Sequence, residues 1–387
     1  MHPRFIWVTN IPSPYRIHSL DLLNQELERR GIAFEALFMA YTESNRNWSP
    51  INIFPFPAEV VTGWHPQIGQ IPFHFNPSIW WRVMCKKPDW LLIGGAWPMP
   101  TALGLYFLQY FSRKINTLFG AEVAFGSSRT NSLLGLSRNM LIRLSAGILI
   151  PGKTARQVIE DKWGITEKPF VVFPNIVDER YYYEQVAHFN RDRLELCDRY
   201  NIAPDQKIFL WPARLSPEKG ILPFLDKIKT FERTNYTILI AGEGPQQPEI
   251  EAWLRAQDMH NVRLLGHQNI DNLLELYALS DVLLLPSLSE PYGFVAVEAL
   301  WGKLPLFLSN RVGAVPEVIE PGSNGWLVDP DNDEQVCQAF QDALACSRQQ
   351  LEQMGQHSLR LAEKNFASRP CVERFVDDLL SLFPPRT

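Results

Sequence analysis

The sequence predicts an α/β protein of two doubly wound parallel-sheet domains that face each other across a cleft. Three observations support this. Short apolar runs of strand length alternate with helix-period segments through both halves of the chain. Many of the strand-like runs end in glycine or proline turns, the loops that bind ligands at the carboxyl ends of parallel strands. At 387 residues with 46% hydrophobic content, the chain has material for two cores.

Taken in order, Phe5–Asn10 reads as the first strand, Ile11–Arg16 as a loop, and Ile17–Arg30 as an amphipathic helix closed by Gly31. Ala33–Met39 is a second strand. Tyr41–Phe75 is long, rich in proline and aromatics and without periodicity, so it is either a binding wall or a surface excursion. Trp90–Ile93 is a strand ended by Gly94-Gly95, Leu103–Phe111 a helix, and Glu122–Phe125, Ile148–Ile150 and Phe170–Phe173 are further strands. The polar, tyrosine-rich stretch from Asp178 to about Lys207 is the interdomain region. The first domain is therefore set at 1–185 with about 368–387, and the second at 186–367.

In the second domain the alternation restarts with strand Ile208–Trp211, helix Gly220–Thr230 and strand Thr237–Ala241. Helix Pro248–Ala256, strand Val262–Leu265 and helix Asn272–Leu279 follow, then strand Asp281–Leu285. Ser287–Ala299 reads as the turn after that strand and the helix it opens. Leu304–Leu308, Val315–Ile319 and Gly325–Val328 precede one long helical stretch, Glu334–Lys364. Val372, Phe375, Val376, Leu379, Leu380 and Phe383 have the spacing of a helix stripe that packs back on the first domain.

Several classes are disfavoured. Met1-His2-Pro3-Arg4 leads directly into a strand, which is not a secretory leader, and no apolar run is long enough to span a bilayer, so a cytoplasmic protein is expected. The five cysteines contain no CxxC pair, against a zinc site or a disulfide framework. Net charge is −5, yet residues 1–180 hold 18 Lys+Arg against 13 Asp+Glu. That basic half reads either as ordinary scatter or as a face for an anionic acceptor or the inner membrane surface. No nucleic-acid partner is expected. Trp80-Trp81-Arg82 with Lys86 and Lys87 reads either as a peripheral membrane contact or as a partly buried helix with a polar face.

The chemistry concentrates at the turns of the second domain. Gly293 permits a positive φ, and the amides of Tyr292, Gly293 and Phe294 after Pro291 open a helix, a place that attracts anions. Glu290 and Glu298 flank this turn; carboxylates beside phosphate suit sugar hydroxyls. Arg214 and Lys219, after another strand, offer a fork and a point charge to a diphosphate without a metal. Gly242-Glu243-Gly244-Pro245 is either a structural turn or a ligand wall, and His267 either borders a nucleobase or lies on the surface. Gly147–Thr154 matches the P-loop pattern in letters, but its Ile-Leu-Ile-Pro interior reads as a buried strand. Asp331-Asn332-Asp333 reads as a helix cap, not a metal site.

Glu290-x7-Glu298 within Ser-Glu-Pro-Tyr-Gly-Phe, together with Arg214, Lys219, Gly242–Pro245 and Pro174-Asn175-x-Val177-Asp178, resembles retaining glycosyltransferase family 4 of the GT-B fold. The resemblance is dense from about residue 170 to 330. It implies sugar transfer from a UDP- or GDP-type nucleotide-sugar donor to a glycan, lipid-linked or small-molecule acceptor, with retention and with neither metal nor separate cofactor. It implies catalytic roles for Arg214, Lys219 and Glu290. Gly242, Gly244, His267, Pro291, Tyr292, Gly293 and Phe294 would bind the donor, and Glu298 its ribose. The family's histidine at the end of a middle strand of the first domain has no counterpart, since no histidine lies between 75 and 187. Ser127 and Ser128 stand there, and Pro14, Tyr15 and Arg16 replace the first glycine-rich loop; all five are candidate acceptor-side residues. Alternatives on the same fold are a nucleotide-sugar epimerase or hydrolase, and a non-catalytic nucleotide-sugar-binding subunit.

Overall fold

A computed structural model of the chain describes residues 2–43, 51–68, 71–95, 97–112, 115–121, 123 and 133–385. These cluster into two units, one reaching to Ile176 and resuming at Ser368, the other running from Val177 to Ala367. In the first unit the strands are β1 (Arg4–Thr9), β2 (Ala33–Phe38), β3 (Ala58–Val60), β4 (Gln67–Ile68), β5 (Ile71–Pro72), β6 (Trp90–Ile93), β7 (Asn116–Gly120), β8 (Gly147–Ile150) and β9 (Phe170–Val172). Seven of them form a parallel sheet in the order β3-β2-β1-β6-β7-β8-β9, and β4 and β5 pair as a separate hairpin. Alternation along each strand feeds two cores. Ile6, Val8, Leu91 and Ile93 face one side of the sheet, while Phe5, Trp7, Trp90 and Leu92 face the other.

The second core is closed by the helix Ser368–Leu382. Phe375 packs against Phe5, Trp7 and Phe173, the last at 4.8 Å between ring centres, and Val372, Val376, Leu379 and Phe383 line the same core. Polar ties hold its C-terminal end and its middle: Trp90 Nε1 donates to the Phe383 carbonyl at 2.7 Å, and Arg30 pairs with Asp377 at 2.7 Å. Gly147 provides the clearance, because a Cβ there would meet the Phe383 ring at 2.3 Å.

The second unit adds β10 (Lys207–Pro212), β11 (Tyr236–Ala241), β12 (Val262–Leu264), β13 (Val282–Leu285), β14 (Leu306–Ser309) and β15 (Gly325–Val328). Their spatial order is β12-β11-β10-β13-β14-β15, all parallel. Counted within the unit this is 3-2-1-4-5-6, the Rossmann order, in which the chain reverses direction across the sheet between the first and fourth strands.

Four expectations are corrected. β7 lies at Asn116–Gly120, ahead of the strand expected at Glu122–Phe125, of which 122, 124 and 125 lie outside the described residues. Its Asn and Thr are polar in sequence yet buried, Asn116 donating to the Pro384 carbonyl at 3.1 Å. The first helix begins at Pro14, capped by Ser13, so Pro14–Arg16 is helix and not loop. The stretch Glu334–Lys364 is two helices, Asp333–Ala345 and Arg348–Phe366, because Cys346 is extended and Ser347 starts the second with a capping box to Gln350. Residues 177–185 pack with the second unit, where Tyr182 on helix Glu179–Phe189 reaches Glu298.

Candidate functional site

The reversal between β10 and β13 sends their following loops apart at the carboxyl edge, and this opening is where ligands bind in such sheets. The loop after β10 carries Arg214, Ser216, Glu218 and Lys219, tightened by a 3-10 turn at Pro217–Lys219 and released by Gly220 at φ +69° into helix Ile221–Ile228. The loop after β13 carries Glu290. The two are sewn together by the Ser289 amide, which donates to the Glu218 carbonyl at 3.1 Å.

Lys219 Nζ and Glu290 Oε2 form an ion pair across this opening. Their side chains are only 16% and 13% exposed, so the pair is held mostly out of water, where charge interactions are stronger than at an open surface. Arg214, by contrast, is exposed on the same loop. Burial pushes the Glu218 carboxyl upward, but the Ser216 hydroxyl at 2.6 Å, its own amide and the charges of Lys219 and Arg214 together hold it below its ordinary value.

The glycine turn after β11 forms one wall of this loop by close backbone approach. A Cβ on Gly242 would lie 2.0 Å from the Ala213 carbonyl, and one on Gly244 would lie 2.3 Å from that of Leu215. The absence of side chains lets the Leu215 amide donate to Glu243 O at 3.0 Å and the Gln246 amide donate to Leu215 O at 2.9 Å. These bonds shape the segment that presents Arg214. His267 is exposed beyond β12, its amide directed to the Glu243 carboxylate at 3.3 Å.

Pro291 is exposed, while Tyr292 and Gly293 are buried, and Gly293 at φ +96° precedes helix Phe294–Trp301. The turn is braced by the loop after β14: the Gly313 amide donates to Glu290 O at 3.0 Å and the Ala314 amide to Tyr292 O at 2.8 Å. Gly313 is required there, since a Cβ would meet the Pro291 carbonyl at 1.9 Å. No sequence signal singled out this third loop. The backbone of Arg311 also takes part, its carbonyl accepting from the Glu290 amide at 3.2 Å.

The family resemblance implied a ribose contact for Glu298. This residue is fully buried on the helix after the turn, and its two carboxylate oxygens accept hydrogen bonds from Tyr182 at 2.8 Å and Tyr277 at 2.7 Å. Glu290 precedes the helix Phe294–Trp301, whereas Glu298 is its fifth residue, a little over one turn from the tip, with its side chain in the core.

In the first unit the sheet also reverses, between β1 and β6, and Pro14, Tyr15 and Arg16 open the helix Pro14–Arg29 after β1 at that point. The Ser13 hydroxyl caps it, accepting from the Arg16 amide at 3.3 Å, and the Arg16 guanidinium lies 5.6 Å from the Trp7 ring centre. Ser127 and Ser128 lie outside the described residues. In the P-loop look-alike, Gly147–Ile150 is the buried strand β8 and Lys153 starts the short helix Lys153–Gln157, while Asn332 caps the helix Asp333–Ala345, its side chain accepting from the Gln335 amide at 3.0 Å.

Two parallel sheets of this kind, with the second in Rossmann order, define the GT-B fold, and known proteins agree. A glycosyltransferase from Rickettsia africae matches 100% of this chain and 100% of its own with TM-score 0.76 at 13% identity. Anabaena HepE in complex with UDP and glucose matches 98% of this chain and 100% of its own, with TM-score 0.73 at 17% identity. In sequence, residues 192–359 match the family glycosyl transferases group 1, a span that contains Arg214, Lys219, both glycine turns and Glu290. An uncharacterized glycosyltransferase of Methanocaldococcus jannaschii is 35% identical over 35% of this chain and 35% of its own. The chain spans between 35% and 61% of the length of the first curated relatives it matches. Among the described residues no helix is long and apolar enough to cross a membrane.

Proposed function

We propose that this chain is a glycosyltransferase that moves a hexose-type sugar from a nucleotide-sugar donor to a glycan, lipid-linked or small-molecule acceptor, with retention and without a metal. The observation that carries the reading is the Lys219–Glu290 pair at the reversal point of a Rossmann-order sheet, inside the segment that matches glycosyl transferases group 1. That a structural neighbour binds UDP and glucose supports a UDP-type donor.

In this reading the donor diphosphate competes with Glu290 for Lys219 and takes Arg214 as a second cation. Both stabilise the charge that develops on the departing nucleotide. Glu290, released from Lys219, accepts from hydroxyls of the donor sugar, and the Tyr292–Phe294 turn faces phosphate. Gly242 and Gly244 shape the Arg214 loop, and His267 borders the base. Glu298 acts from inside by bracing the helix. Pro14, Tyr15 and Arg16 serve the acceptor in the first unit.

The test is thermal stabilisation by a panel of UDP- and GDP-sugars, followed by turnover with the donor that binds. Stabilisation by at least one donor in the wild type, lost in Lys219→Ala, supports the site. Unchanged turnover in Glu290→Gln would remove Glu290 from it. New sugar nucleotide or free sugar from donor alone, with no transfer to any acceptor, would favour an epimerase or hydrolase instead.

A second reading, peripheral membrane contact, is favoured by a surface of the first unit. Trp81 and Met84 on helix Pro77–Lys86, Leu103 and Phe107 on Pro100–Ser112, and Leu136 and Met140 on Leu133–Leu144 are all large, apolar and exposed. Successive helices here touch, the first two closely enough that a Cβ on Gly104 would meet Trp80 at 2.2 Å. The cations first associated with this contact are differently engaged: Arg82 pairs with Glu59 and Lys86 with Glu35. Apolar insertion is thus the main term of this reading. Co-sedimentation with anionic liposomes that persists in high salt and is lost in Trp81→Asp supports it; no co-sedimentation refutes it.

A further inference from the structure

The long aromatic stretch after β2 contains an ordered polar chain that the donor chemistry does not use. Glu43 and His74 are buried, and His74 Nε2 lies 3.2 Å from Glu43 Oε1. The same carboxylate oxygen accepts from Asn10 Nδ2 at 3.1 Å, and Asn10 directly follows β1. On its other side His74 Nδ1 lies 3.0 Å from Nδ1 of His65, a residue exposed to solvent. The chain therefore runs Asn10, Glu43, His74, His65, from the sheet reversal of the first unit to its surface.

The arrangement is rigid. Trp64 and Phe75 exchange backbone hydrogen bonds at 2.9 and 3.0 Å, which places His65 and His74 on the next rung of the same short ladder. The His74 carbonyl accepts from the Thr101 hydroxyl at 3.0 Å, and the next residue but one, Asn76, is fully buried and donates to Met39 O and Val61 O at 2.8 Å each. At the other end, Gly95 approaches Asn10 so closely that a Cβ would lie 2.0 Å from Asn10 Oδ1.

Proton bookkeeping follows from this geometry. A carboxylate only accepts, so His74 Nε2 carries the proton toward Glu43. In the neutral His74 ring Nδ1 is then an acceptor, so His65 Nδ1 must be the donor to it. That leaves His65 Nε2 as an acceptor lone pair on an exposed residue. Desolvation lowers the His65 pKa, which favours a neutral His65; the scheme requires His74 neutral as well, and an Nε2-protonated His65 would mark a cationic His74 instead.

We propose that Asn10, Glu43, His74 and His65 build a saccharide subsite in the first unit, in which His65 Nε2 accepts a hydrogen bond from a sugar hydroxyl. His65 makes the contact; Glu43 and His74 are positioning residues that fix its tautomer. A hydroxyl donor is the ligand class the exposed acceptor selects, and a sugar is its source if the first unit receives the acceptor, so the proposal rests on the glycosyltransferase reading above.

The test uses the full chain with 15N-labelled histidine and long-range 1H–15N correlation spectra. Expected are an Nδ1-protonated His65 and an Nε2-protonated His74. Methyl α-D-glucopyranoside, methyl α-D-mannopyranoside and methyl β-D-galactopyranoside are titrated singly, and at least one is expected to shift His65 Nε2. Binding of that glycoside falls about tenfold in His65→Phe, the worth of one hydrogen bond, and is partly restored in His65→Gln, which keeps an acceptor. His74→Phe, judged only if its spectra remain folded, is expected to release His65 into mixed tautomers and to weaken binding. An Nε2-protonated His65 in the free protein, or a His65 unmoved by all three glycosides, overturns the proposal. Stabilisation by nucleotide sugar is expected to be unchanged in His65→Phe. If the wild type is stabilised by no nucleotide sugar, the donor reading fails while the histidine spectra still decide the subsite.

Discussion

Removing the hydroxyl of Tyr277 or Tyr182 tests whether Glu298 braces the fold or faces a ligand. Each hydroxyl donates to a different oxygen of one fully buried carboxylate, at 2.7 and 2.8 Å. A hydrogen bond to a carboxylate is worth about 1.5–3 kcal/mol, and losing it inside the core leaves the oxygen with one donor fewer and no water to replace it. Tyr277→Phe and Tyr182→Phe are each expected to cost about 2 kcal/mol on that scale. For a unit of this size that lowers the unfolding midpoint by roughly 4–8 °C. The assay is thermal unfolding of the full chain, with the double variant closing a mutant cycle. Because both bonds end on one carboxylate, the two effects should be non-additive by about 0.5–3 kcal/mol. Nucleotide-sugar affinity of the folded variants should change little. Phenylalanine variants as stable as the wild type, with Glu298→Gln selectively weakening nucleotide binding, would refute the bracing role and return Glu298 to the ribose.

Four further outcomes follow from other positions. Gly293→Ala forces a side chain at φ +96° with its Cβ 2.8 Å from Val312, so it should lower stability by about 1–3 kcal/mol; Gly322→Ala, at φ +80° with nothing within 4 Å, should cost about 1 kcal/mol in the same unfolding assay. Ser347→Ala removes the hydroxyl side of the capping box that starts Arg348–Phe366 and should cost about 1 kcal/mol by denaturant titration. The Arg29 hydrogen bond holds the Glu26 carboxyl below its ordinary value, against burial and aided by Arg30. Its contribution is therefore present above the unfolded-state pKa and is lost as pH falls through the lowered folded pKa; in acid denaturation curves Glu26→Gln should flatten that limb and leave the neutral side with a constant deficit.

Much of the second unit was legible because its turns are written in residue types that only a few backbones accept. Gly242, Gly244 and Gly293 follow apolar runs, and each sits where a Cβ would collide or φ is positive. β7 was hidden because Asn116 and Thr117 look like loop residues, and their burial depends on partners far along the chain, such as the Pro384 carbonyl. The break at Ser347 could have been found from Ser-x-x-Gln, the capping-box spacing. The Glu43–His74–His65 chain left no local pattern, since its members are 31 and 9 residues apart and meet only through a backbone ladder.

Sequence alone determined the two α/β units, the returning C-terminal helix and the loops that carry Arg214, Lys219 and Glu290, because periodicity and turn chemistry are local properties of the chain. Tertiary structure decided which of those groups meet. It paired Lys219 with Glu290 by bringing the loops after β10 and β13 to one sheet reversal, and it buried Glu298 against Tyr182 and Tyr277, which lie 116 and 21 residues away in the chain and meet it only in the fold.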